Sequence, residues 1–197
     1  VYVSRMDGLD VFVGSLRAVA EETRLRLLAL CADAELTVTE LTRILGQSQP
    51  RVSRHLRLLV EAGLLTRFRE GTWSFYGLAM TGPSADLAQK LLEFVPRADP
   101  VFSRDRERLE EIKRDRAEEA ATYFRENAPR WNEIRSLYVD EAEVESALLE
   151  AAGPEAIDRF LDVGTGTGRI LEIFAPRVRQ GLGIDLSREM LAIARAM

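Results

Sequence analysis

Three glycines at alternate positions, followed by an acidic residue at the end of a later apolar segment, are the part of this sequence that most suggests chemistry. Gly164, Gly166 and Gly168 follow the apolar segment 160–163, which is typical of a buried parallel strand. Glycines at such a turn let the backbone approach a ligand closely. Asp185 lies seventeen residues after Gly168, where a carboxylate can accept hydrogen bonds from both hydroxyls of a ribose. The spacing therefore predicts a site for a ligand that contains adenosine.

The residue ahead of the glycines helps to choose between two such ligands. A dinucleotide site is expected to show Gly-x-Gly-x-x-Gly, whereas this sequence has Gly-x-Gly-x-Gly with Asp162 two residues earlier. A carboxylate would repel a pyrophosphate but would favour a cationic sulfonium ligand. The sequence favours the sulfonium ligand, and it leaves open a dinucleotide site and a glycine-rich turn that binds nothing.

A second group of residues, all of them arginines, is concentrated between positions 43 and 69. This segment has six arginines and one acidic residue, although the 197-residue chain has a formal net charge of −5. Residues 1–95 are neutral overall, with eleven basic and eleven acidic side chains, so the second half of the sequence supplies the negative charge. A basic surface on a neutral domain predicts contact with the phosphates of nucleic acid.

Three of these arginines fall on one predicted helix, from Ser48 to about Ala62. On a helical wheel its apolar residues cluster, and the opposite side carries Arg51, Ser53, Arg54, His55 and Arg57. A shorter helix is predicted before it, capped by Thr37 or Thr39 and ended by Gly46. Two helices joined in this way form a helix-turn-helix, whose second helix enters the major groove of DNA, where arginine can bind guanine.

Two β-rich segments on either side of Glu70 and Gly71 predict a hairpin after this helix. Arg67 and Arg69 would share one face of it and contact phosphates or the minor groove. A small helical domain with a solvated arginine face is the alternative, and this order of elements favours the DNA-binding interpretation over it. The expected DNA-binding residues are Ser48, Gln49, Arg51, Ser53, Arg54, His55, Arg57, Arg67 and Arg69.

These patterns predict a protein of mixed α and α/β class. Residues 1–97 are expected to form a winged helix-turn-helix domain, mostly α-helical with a β-hairpin wing. Residues 98–152 are expected to form a helical connector, since the segment 104–127 is rich in opposite charges three or four residues apart. Residues 153–197 would begin a Rossmann-like parallel sheet. Because two parallel strands are not a stable sheet alone, this last domain is expected to be incomplete within the sequence.

Composition argues against several other classes of protein. No apolar segment approaches the roughly 18 residues of a membrane-spanning helix, and residues 1–20 do not look like a secretory signal. The chain has one cysteine, Cys31, and so cannot form an internal disulfide, which predicts a cytoplasmic location. The sequence has one histidine, His55, and no metal site is expected.

The arginine-rich half resembles the ArsR-type winged-helix transcriptional regulators. The resemblance covers about residues 10–95 and lies in the segments 18–28, 48–64 and 69–78, the second of which begins S-Q-P-R-V-S-R-H-L. It implies a homodimer, paired through the first helix and the helix from Ser84, that binds an inverted-repeat operator in double-stranded DNA. It also implies repression that an effector relieves.

The sequence departs from the metal-sensing members of that family at two positions. Those members carry a cysteine pair in the third-helix region, where this sequence has Thr37 and Thr39. Threonine hydroxyls are poor ligands for soft or borderline metals. We therefore expect an effector other than a metal ion.

The glycine-rich half resembles the class I S-adenosylmethionine-dependent methyltransferases. Its two motifs are Asp-x-Gly-x-Gly-x-Gly from Asp162 and Gly-Ile-Asp-Leu-Ser-x-x-Met from Gly183, and the segment 123–137 resembles the helical lead-in of such domains. The resemblance implies that residues 164–168 lie against the methionyl part of S-adenosylmethionine or S-adenosylhomocysteine.

The same resemblance assigns the remaining contacts. It places Asp162 near the amino group of the ligand, Asp185 at the ribose, and Leu186 and Met190 against the adenine. The expected cofactor-binding residues are Asp162, Gly164, Thr165, Gly166, Gly168, Asp185, Leu186 and Met190.

Both halves together predict a DNA-binding transcriptional repressor whose operator binding is modulated by S-adenosylmethionine or S-adenosylhomocysteine. The alternative is an active S-adenosylmethionine-dependent methyltransferase with a winged-helix accessory domain. A third possibility is a repressor whose C-terminal half binds no ligand. No catalytic residue can be identified in the sequence.

Overall fold

Short helices and a small antiparallel sheet form the first of the two units into which the chain divides, Val1–Lys113. The computed structural model describes residues 8–136 and 140–196, apart from the side chains of Asn132 and Ser136. In chain order, the elements of this unit are α1 (Leu9–Val19), α2 (Glu22–Asp33), β1 (Leu36–Thr37), α3 (Val38–Leu45), α4 (Gln49–Glu61), β2 (Leu65–Glu70), β3 (Trp73–Leu78) and α5 (Ala85–Glu93). A longer helix, α6 (Pro100–Asn127), begins in this unit.

Local sequence signals set both ends of α3. Thr37 rather than Thr39 caps α3: its hydroxyl accepts a hydrogen bond of 3.3 Å from the backbone N of Glu40, and the Glu40 carboxylate accepts one of 2.8 Å from the backbone N of Thr37. Gly46 ends α3 with a φ of 64°, a left-handed conformation that favours glycine. Ser48 occupies the N-cap position of α4, but its side chain makes no capping hydrogen bond.

The predicted hairpin is confirmed and belongs to a three-stranded antiparallel sheet. Its strand order is β1-β3-β2, with Leu65 opposite Leu78 and Glu70 opposite Trp73. Gly71 turns the hairpin with a φ of 57°. Below the sheet lies a leucine-rich core whose fully buried side chains include Leu27, Leu28, Leu41, Ile44, Leu56 and Leu59. Cys31 is part of this core, and burial raises the pKa of its thiol to about 12.

The beginning of α6 is buried, although the charge spacing of the segment 104–127 predicts a solvated connector helix. Asp105, Leu109 and Ile112 are each less than 5% exposed, at 3%, 1% and 4%. The guanidinium of Arg26 on α2 donates two hydrogen bonds of 2.7 Å to the carboxylate of Asp105. Charge spacing along a helix does not reveal that one of its acids is buried against a partner from another helix.

The second unit, Arg114–Met197, contains a pair of parallel strands. It holds the rest of α6, a 3₁₀ turn (Ala128–Arg130), α7 (Trp131–Ser136), α8 (Glu141–Ala151), β4 (Ile157–Val163), α9 (Arg169–Phe174), a second 3₁₀ turn (Ala175–Arg177), β5 (Val178–Ile184) and α10 (Arg188–Ala194). The parallel pairing of the two predicted strands is therefore confirmed. Residues 137–139 of the expected lead-in lie outside the described residues.

The two faces of the β4–β5 pair differ. On one face α9 packs against Gly181 and Gly183 of β5, and the rings of Phe160 and Phe174 stack with centroids 4.9 Å apart. On the other face four apolar side chains are largely exposed: Leu161, Val163, Leu182 and Ile184. Among the residues that the structure describes, no helix is both long enough and apolar enough to cross a membrane.

Candidate functional sites

The surface of α4 is basic, as its periodicity predicts. Val52, Leu56 and Leu59 are completely buried, while Arg51, Arg54 and Arg57 are exposed on the other side of the helix. Ser48 and Gln49, at its N-terminal end, are exposed too. Arg57 lies 3.7 Å from the carboxylate of Glu61, but both side chains are more than 60% exposed, so water screens the pair and leaves the guanidinium accessible.

Two residues that the sequence placed on this exposed side are more buried than expected. Ser53 is half-buried. The His55 side chain is only 14% exposed and turns toward the start of α2, where its Nδ1 lies 3.6 Å from Oε2 of Glu21. The expectation of a solvent-facing His55 is therefore wrong, because a wheel of α4 alone does not include the helix packed beside it.

The surroundings of His55 keep its ring neutral near pH 7. Burial lowers the pKa of His55; Arg24, Arg51 and Arg54 lower it further, and Glu21 partly offsets them. Glu21 also caps α2, since its carboxylate accepts a hydrogen bond of 3.0 Å from the backbone N of Arg24. His55 thus connects α4 to the N-terminus of α2.

The hairpin carries its two arginines on one face. The register places Arg67 opposite Tyr76 and Arg69 opposite Ser74, and both arginines are exposed. The Arg67 guanidinium donates a hydrogen bond of 3.0 Å to the hydroxyl of Ser74 and lies 6.0 Å from the centroid of the Tyr76 ring. These contacts hold Arg67 in place while its charge stays in water. A basic helix followed by a basic hairpin offers two separate contacts to phosphates.

Thr37, in the third-helix region of the same unit, belongs to the cap of α3. The Thr37 hydroxyl donates a hydrogen bond of 2.8 Å to the carboxylate of Glu40 as part of the helix cap. Within residues 8–136 and 140–196, no three His, Cys, Asp or Glu side chains are grouped closely enough to hold a metal.

In the second unit, the glycine turn is fixed against the end of β5. Gly164, Gly166 and Gly168 have φ angles of 79°, 54° and 84°, a region in which side chains are strained. The backbone N–H groups of Gly164 and Thr165 both donate to the carbonyl oxygen of Ile184, at 2.8 and 3.0 Å. The turn that leaves β4 is thereby held beside the residue that ends β5.

Asp185 lies at this junction. Its Oδ2 accepts a hydrogen bond of 2.9 Å from the backbone N of Gly166, and its Oδ1 accepts one of 2.8 Å from the backbone N of Ser187. Each carboxylate oxygen can accept a second hydrogen bond. The carboxylate is therefore oriented by the backbone on both sides and can still accept from a ligand diol.

The other expected cofactor residues divide into two groups. Gly164, Gly166, Leu186 and Met190 line a pocket together with Asp185. Asp162, Thr165 and Gly168 do not line it: the Asp162 carboxylate accepts a hydrogen bond of 2.7 Å from the hydroxyl of Thr165, which is 7% exposed. In this structure Asp162 stabilises the glycine turn through Thr165 and does not line the pocket.

The pocket has a volume of about 940 Å³ and lies at the carboxyl ends of β4 and β5. Open α/β sheets bind their ligands in this position. Its far wall was not expected from the sequence and comes from the end of α6 and the start of α7: Ala117, Ala120, Ala121, Phe124, Arg125 and Trp131. The first four of these are spaced i, i+3, i+4 and i+7, which is the spacing of an apolar stripe on a helix. The many charged residues around them kept this stripe from being recognised in the sequence.

An ion pair joins two of the residues that line the pocket. Arg125 lies 3.7 Å from the carboxylate of Glu189. The backbone N–H of Glu189 lowers the pKa of that carboxyl, and the hydroxyl of Ser187 and the charges of Arg125 and Arg188 lower it further. Ser187 also caps α10 by accepting a hydrogen bond of 3.2 Å from the backbone N of Met190. These contacts set the position of the loop that carries Asp185 and Leu186.

Comparison with known proteins supports both halves. The model of the family described as bacterial regulatory protein, arsR family, matches residues 21–67, and the model described as methyltransferase domain matches residues 160–197. The arsenic resistance transcriptional regulator ArsR1 of Pseudomonas putida is 48% identical over 63 residues, which are 32% of this chain and 49% of that protein. The chain thus spans about half the length of that relative.

Two further proteins are similar to the same part of the chain. The uncharacterized HTH-type transcriptional regulator MJ1325 of Methanocaldococcus jannaschii is 38% identical over 61 residues, which are 30% of this chain and 68% of that protein. The solved structure of reduced HlyU from Vibrio cholerae is 33% identical, covers 46% of this chain and 90% of that chain, and has a TM-score of 0.40.

Proposed function

We propose that the chain is a DNA-binding transcriptional regulator whose operator affinity depends on an S-adenosyl ligand. Its N-terminal part has a helix-turn-helix domain of the arsR family, and its C-terminal part has a methyltransferase domain. In this proposal the first unit binds double-stranded DNA and represses transcription. The second unit binds S-adenosylmethionine or S-adenosylhomocysteine. The observation that carries the proposal is the oriented Asp185 carboxylate beside the glycine turn, in a chain that also has an arginine-faced helix.

Support for DNA binding comes from the exposed arginines. Arg51, Arg54 and Arg57 occur every three residues along α4 and are all exposed. Arg67 and Arg69 project together from the hairpin. Each arginine that neutralises a phosphate contributes to the salt dependence of binding, and a bidentate contact with guanine contributes roughly 1–3 kcal/mol of discrimination.

Support for ligand binding comes from the chemistry of the pocket. Its volume of about 940 Å³ is at the upper end of the roughly 300–1,000 Å³ of small-molecule sites. Asp185 offers a charged acceptor to a sugar diol, and Leu186, after β5, and Met190, in α10, offer apolar side chains. Gly164 and Gly166 bring backbone to the ligand without side chains. Within the proposal, Asp162 acts on the ligand through the turn that it stabilises.

We propose that the protein acts as a homodimer on an inverted-repeat operator. Apolar side chains on α1 and just after α5 face water in this chain: Leu9, Val11, Phe12 and Phe94 are 76%, 41%, 40% and 82% exposed. Burying them against a second copy would remove this apolar surface from water. We also propose a cytoplasmic location, because DNA is found there and Cys31 would stay reduced.

The experiment that tests the proposal measures DNA binding with and without ligand. A duplex selected by the full chain from a random library is labelled, and its binding is followed by fluorescence anisotropy at fixed salt. We expect S-adenosylmethionine or S-adenosylhomocysteine to change the dissociation constant by about 5- to 150-fold, the usual range of coupling between two sites. An unchanged dissociation constant with both ligands would reject ligand control.

A second candidate function is methyl transfer, which the match to a methyltransferase domain favours. The enzyme would be an S-adenosylmethionine-dependent methyltransferase with the winged helix as an accessory domain. Formation of S-adenosylhomocysteine that depends on an added acceptor would support it. Tight ligand binding without turnover over a panel of acceptors, together with a ligand effect on DNA binding, would favour the regulator.

A further inference from the structure

An aromatic cluster forms one wall of the pocket, and the proposed function assigns it no role. Phe124 and Trp131 both line the pocket, and their rings meet edge to face with centroids 5.3 Å apart and an interplanar angle of 65°. The ring of Tyr123 continues the cluster, with its centroid 5.7 Å from that of Phe124. Edge-to-face contacts of this kind fix the orientation of the rings.

The indole of Trp131 lies next to the glycine turn. A Cβ built on Gly166 would be 3.7 Å from Nε1 of Trp131. The backbone N of Gly166 also donates to the Asp185 carboxylate, at 2.9 Å. The indole is therefore close to the group that holds the ribose in the proposed complex. The resemblance to the methyltransferases implies that the methionyl part of the ligand, which includes the sulfur, lies against residues 164–168, and Gly166 beside the indole is one of them.

The charged residues of the pocket do not by themselves select a cation. Arg125, Asp185, Arg188 and Glu189 are the ionisable residues among the described residues that line it, and their formal charges sum to zero. An aromatic face, in contrast, attracts a cation that lies within about 6 Å of its centroid. Phe124 and Trp131, which line the pocket, are therefore groups that can distinguish a cationic ligand from a neutral one.

We infer that Trp131 is a specificity-determining residue, which contacts the sulfonium group and makes the pocket prefer S-adenosylmethionine to S-adenosylhomocysteine. The inference rests on the proposed function, since it names the form of ligand that the same site selects. The two ligands share the adenosine and the amino acid, and they differ by one methyl group and one positive charge. A cation–π contact corresponds to a preference of about 2- to 30-fold in dissociation constant.

The tryptophan content of the chain supplies a local reporter. Trp73, on the hairpin, and Trp131 are its two tryptophans. In the full-length Trp73→Phe variant, tryptophan fluorescence comes from the pocket, and a ligand that contacts the indole is expected to change it. Sinefungin, in which a protonated amine replaces the sulfonium, separates the charge from the methyl group. We expect sinefungin to bind like S-adenosylmethionine.

Calorimetry on the full chain with Trp131→Leu and Trp131→Phe completes the test. We expect the leucine variant to bind the two S-adenosyl ligands equally, and the phenylalanine variant, which keeps an aromatic face, to retain most of the preference. An equal affinity of the unmodified chain for both ligands, or an unchanged preference in Trp131→Leu, would overturn the inference and leave the proposed function standing. Binding of neither ligand to the unmodified chain would reject the proposed site, and the inference with it.

Discussion

The backbone N–H of Gly166 donates a hydrogen bond of 2.9 Å to Oδ2 of Asp185, a residue nineteen positions later in the chain. This bond joins the turn after β4 to the residue that follows β5. A second bond, from the backbone N of Ser187, holds the other carboxylate oxygen at 2.8 Å. The carboxylate is therefore oriented before any ligand arrives, and a ligand that binds it does not have to order it.

Replacing this carboxylate tests its role in ligand binding. We expect Asp185→Asn to weaken binding of the S-adenosyl ligands by about 10- to 100-fold, because the variant cannot make charge-assisted hydrogen bonds to the ribose. Calorimetry on the full chain measures the effect. Asp158→Asn, at the opposite end of β4 and 65% exposed in its side chain, serves as the control and should bind normally. Equal affinities for both variants would show that Asp185 does not hold the ligand.

The exposed face of α4 makes a prediction about salt. Arg54→Ala is expected to weaken DNA binding and to reduce the slope of log affinity against log salt by about 0.9 for each phosphate that Arg54 neutralises. Anisotropy measured at several salt concentrations gives the slope. Arg104→Ala, an exposed arginine at the start of α6, removes the same charge outside the proposed interface. If the two variants bind DNA equally well, α4 does not face the duplex.

The glycines of β5 make a prediction about stability. A Cβ on Gly183 would lie 2.7 Å from both Leu171 Cδ1 and Thr165 Oγ1, whereas a Cβ on Gly181 would lie 3.1 Å from Leu171 Cδ2. We expect Gly183→Ala to destabilise the second unit by about 1–3 kcal/mol and Gly181→Ala to cost less. Urea unfolding of each variant, followed by the fluorescence of Trp131 in the Trp73→Phe background, measures both. Equal stability of the two variants would contradict the close packing of α9 against β5.

Burial of His55 predicts that the first unit becomes less stable in mild acid. Its pKa is lowered in the folded chain, so the unfolded chain binds a proton at a higher pH than the folded chain does. The contribution of neutral His55 to the free energy of unfolding is therefore complete above the ordinary histidine pKa of about 6.5. This contribution is lost as the pH falls through that value toward the lower pKa of the folded chain. Thermal unfolding followed by circular dichroism between pH 7.5 and 5.5 should show this decline. His55→Gln should remove most of it; an identical decline in that variant would assign it to another group.

Much of the proposed DNA-binding surface could be predicted from the sequence because helix periodicity determines which side chains of α4 are exposed. Val52, Leu56 and Leu59 must share one side of α4, which leaves Arg51 and Arg54 on the other. The glycine spacing, likewise, indicated a turn next to the acid that follows the second strand. Both are local patterns in which neighbouring residues along the chain determine the result.

Contacts between distant elements could not be predicted in the same way. His55 lies on the flank of α4, and only the position of α2 beside it decides whether its ring is exposed or buried. Asp105 has the sequence surroundings of a solvated acid, but Arg26 on another helix pairs with it. Phe124 and Trp131 likewise have many charged neighbours in the sequence, which do not indicate that both line one pocket. Each of these depends on tertiary packing, which overrides local charge pattern.

The central claim, that an S-adenosyl ligand controls DNA binding through the site at Asp185, is tested most directly by one comparison. The dissociation constant for the selected duplex is measured for the unmodified full chain and for Asp185→Asn. Each protein is measured without ligand and with ligand, at a concentration that saturates the unmodified chain but not the variant. We predict a change of at least about 5-fold for the unmodified chain, and none for the variant, whose affinity in the absence of ligand equals that of the unmodified chain. A dissociation constant that the ligand leaves unchanged in the unmodified chain, or shifts equally in both proteins, would contradict the account.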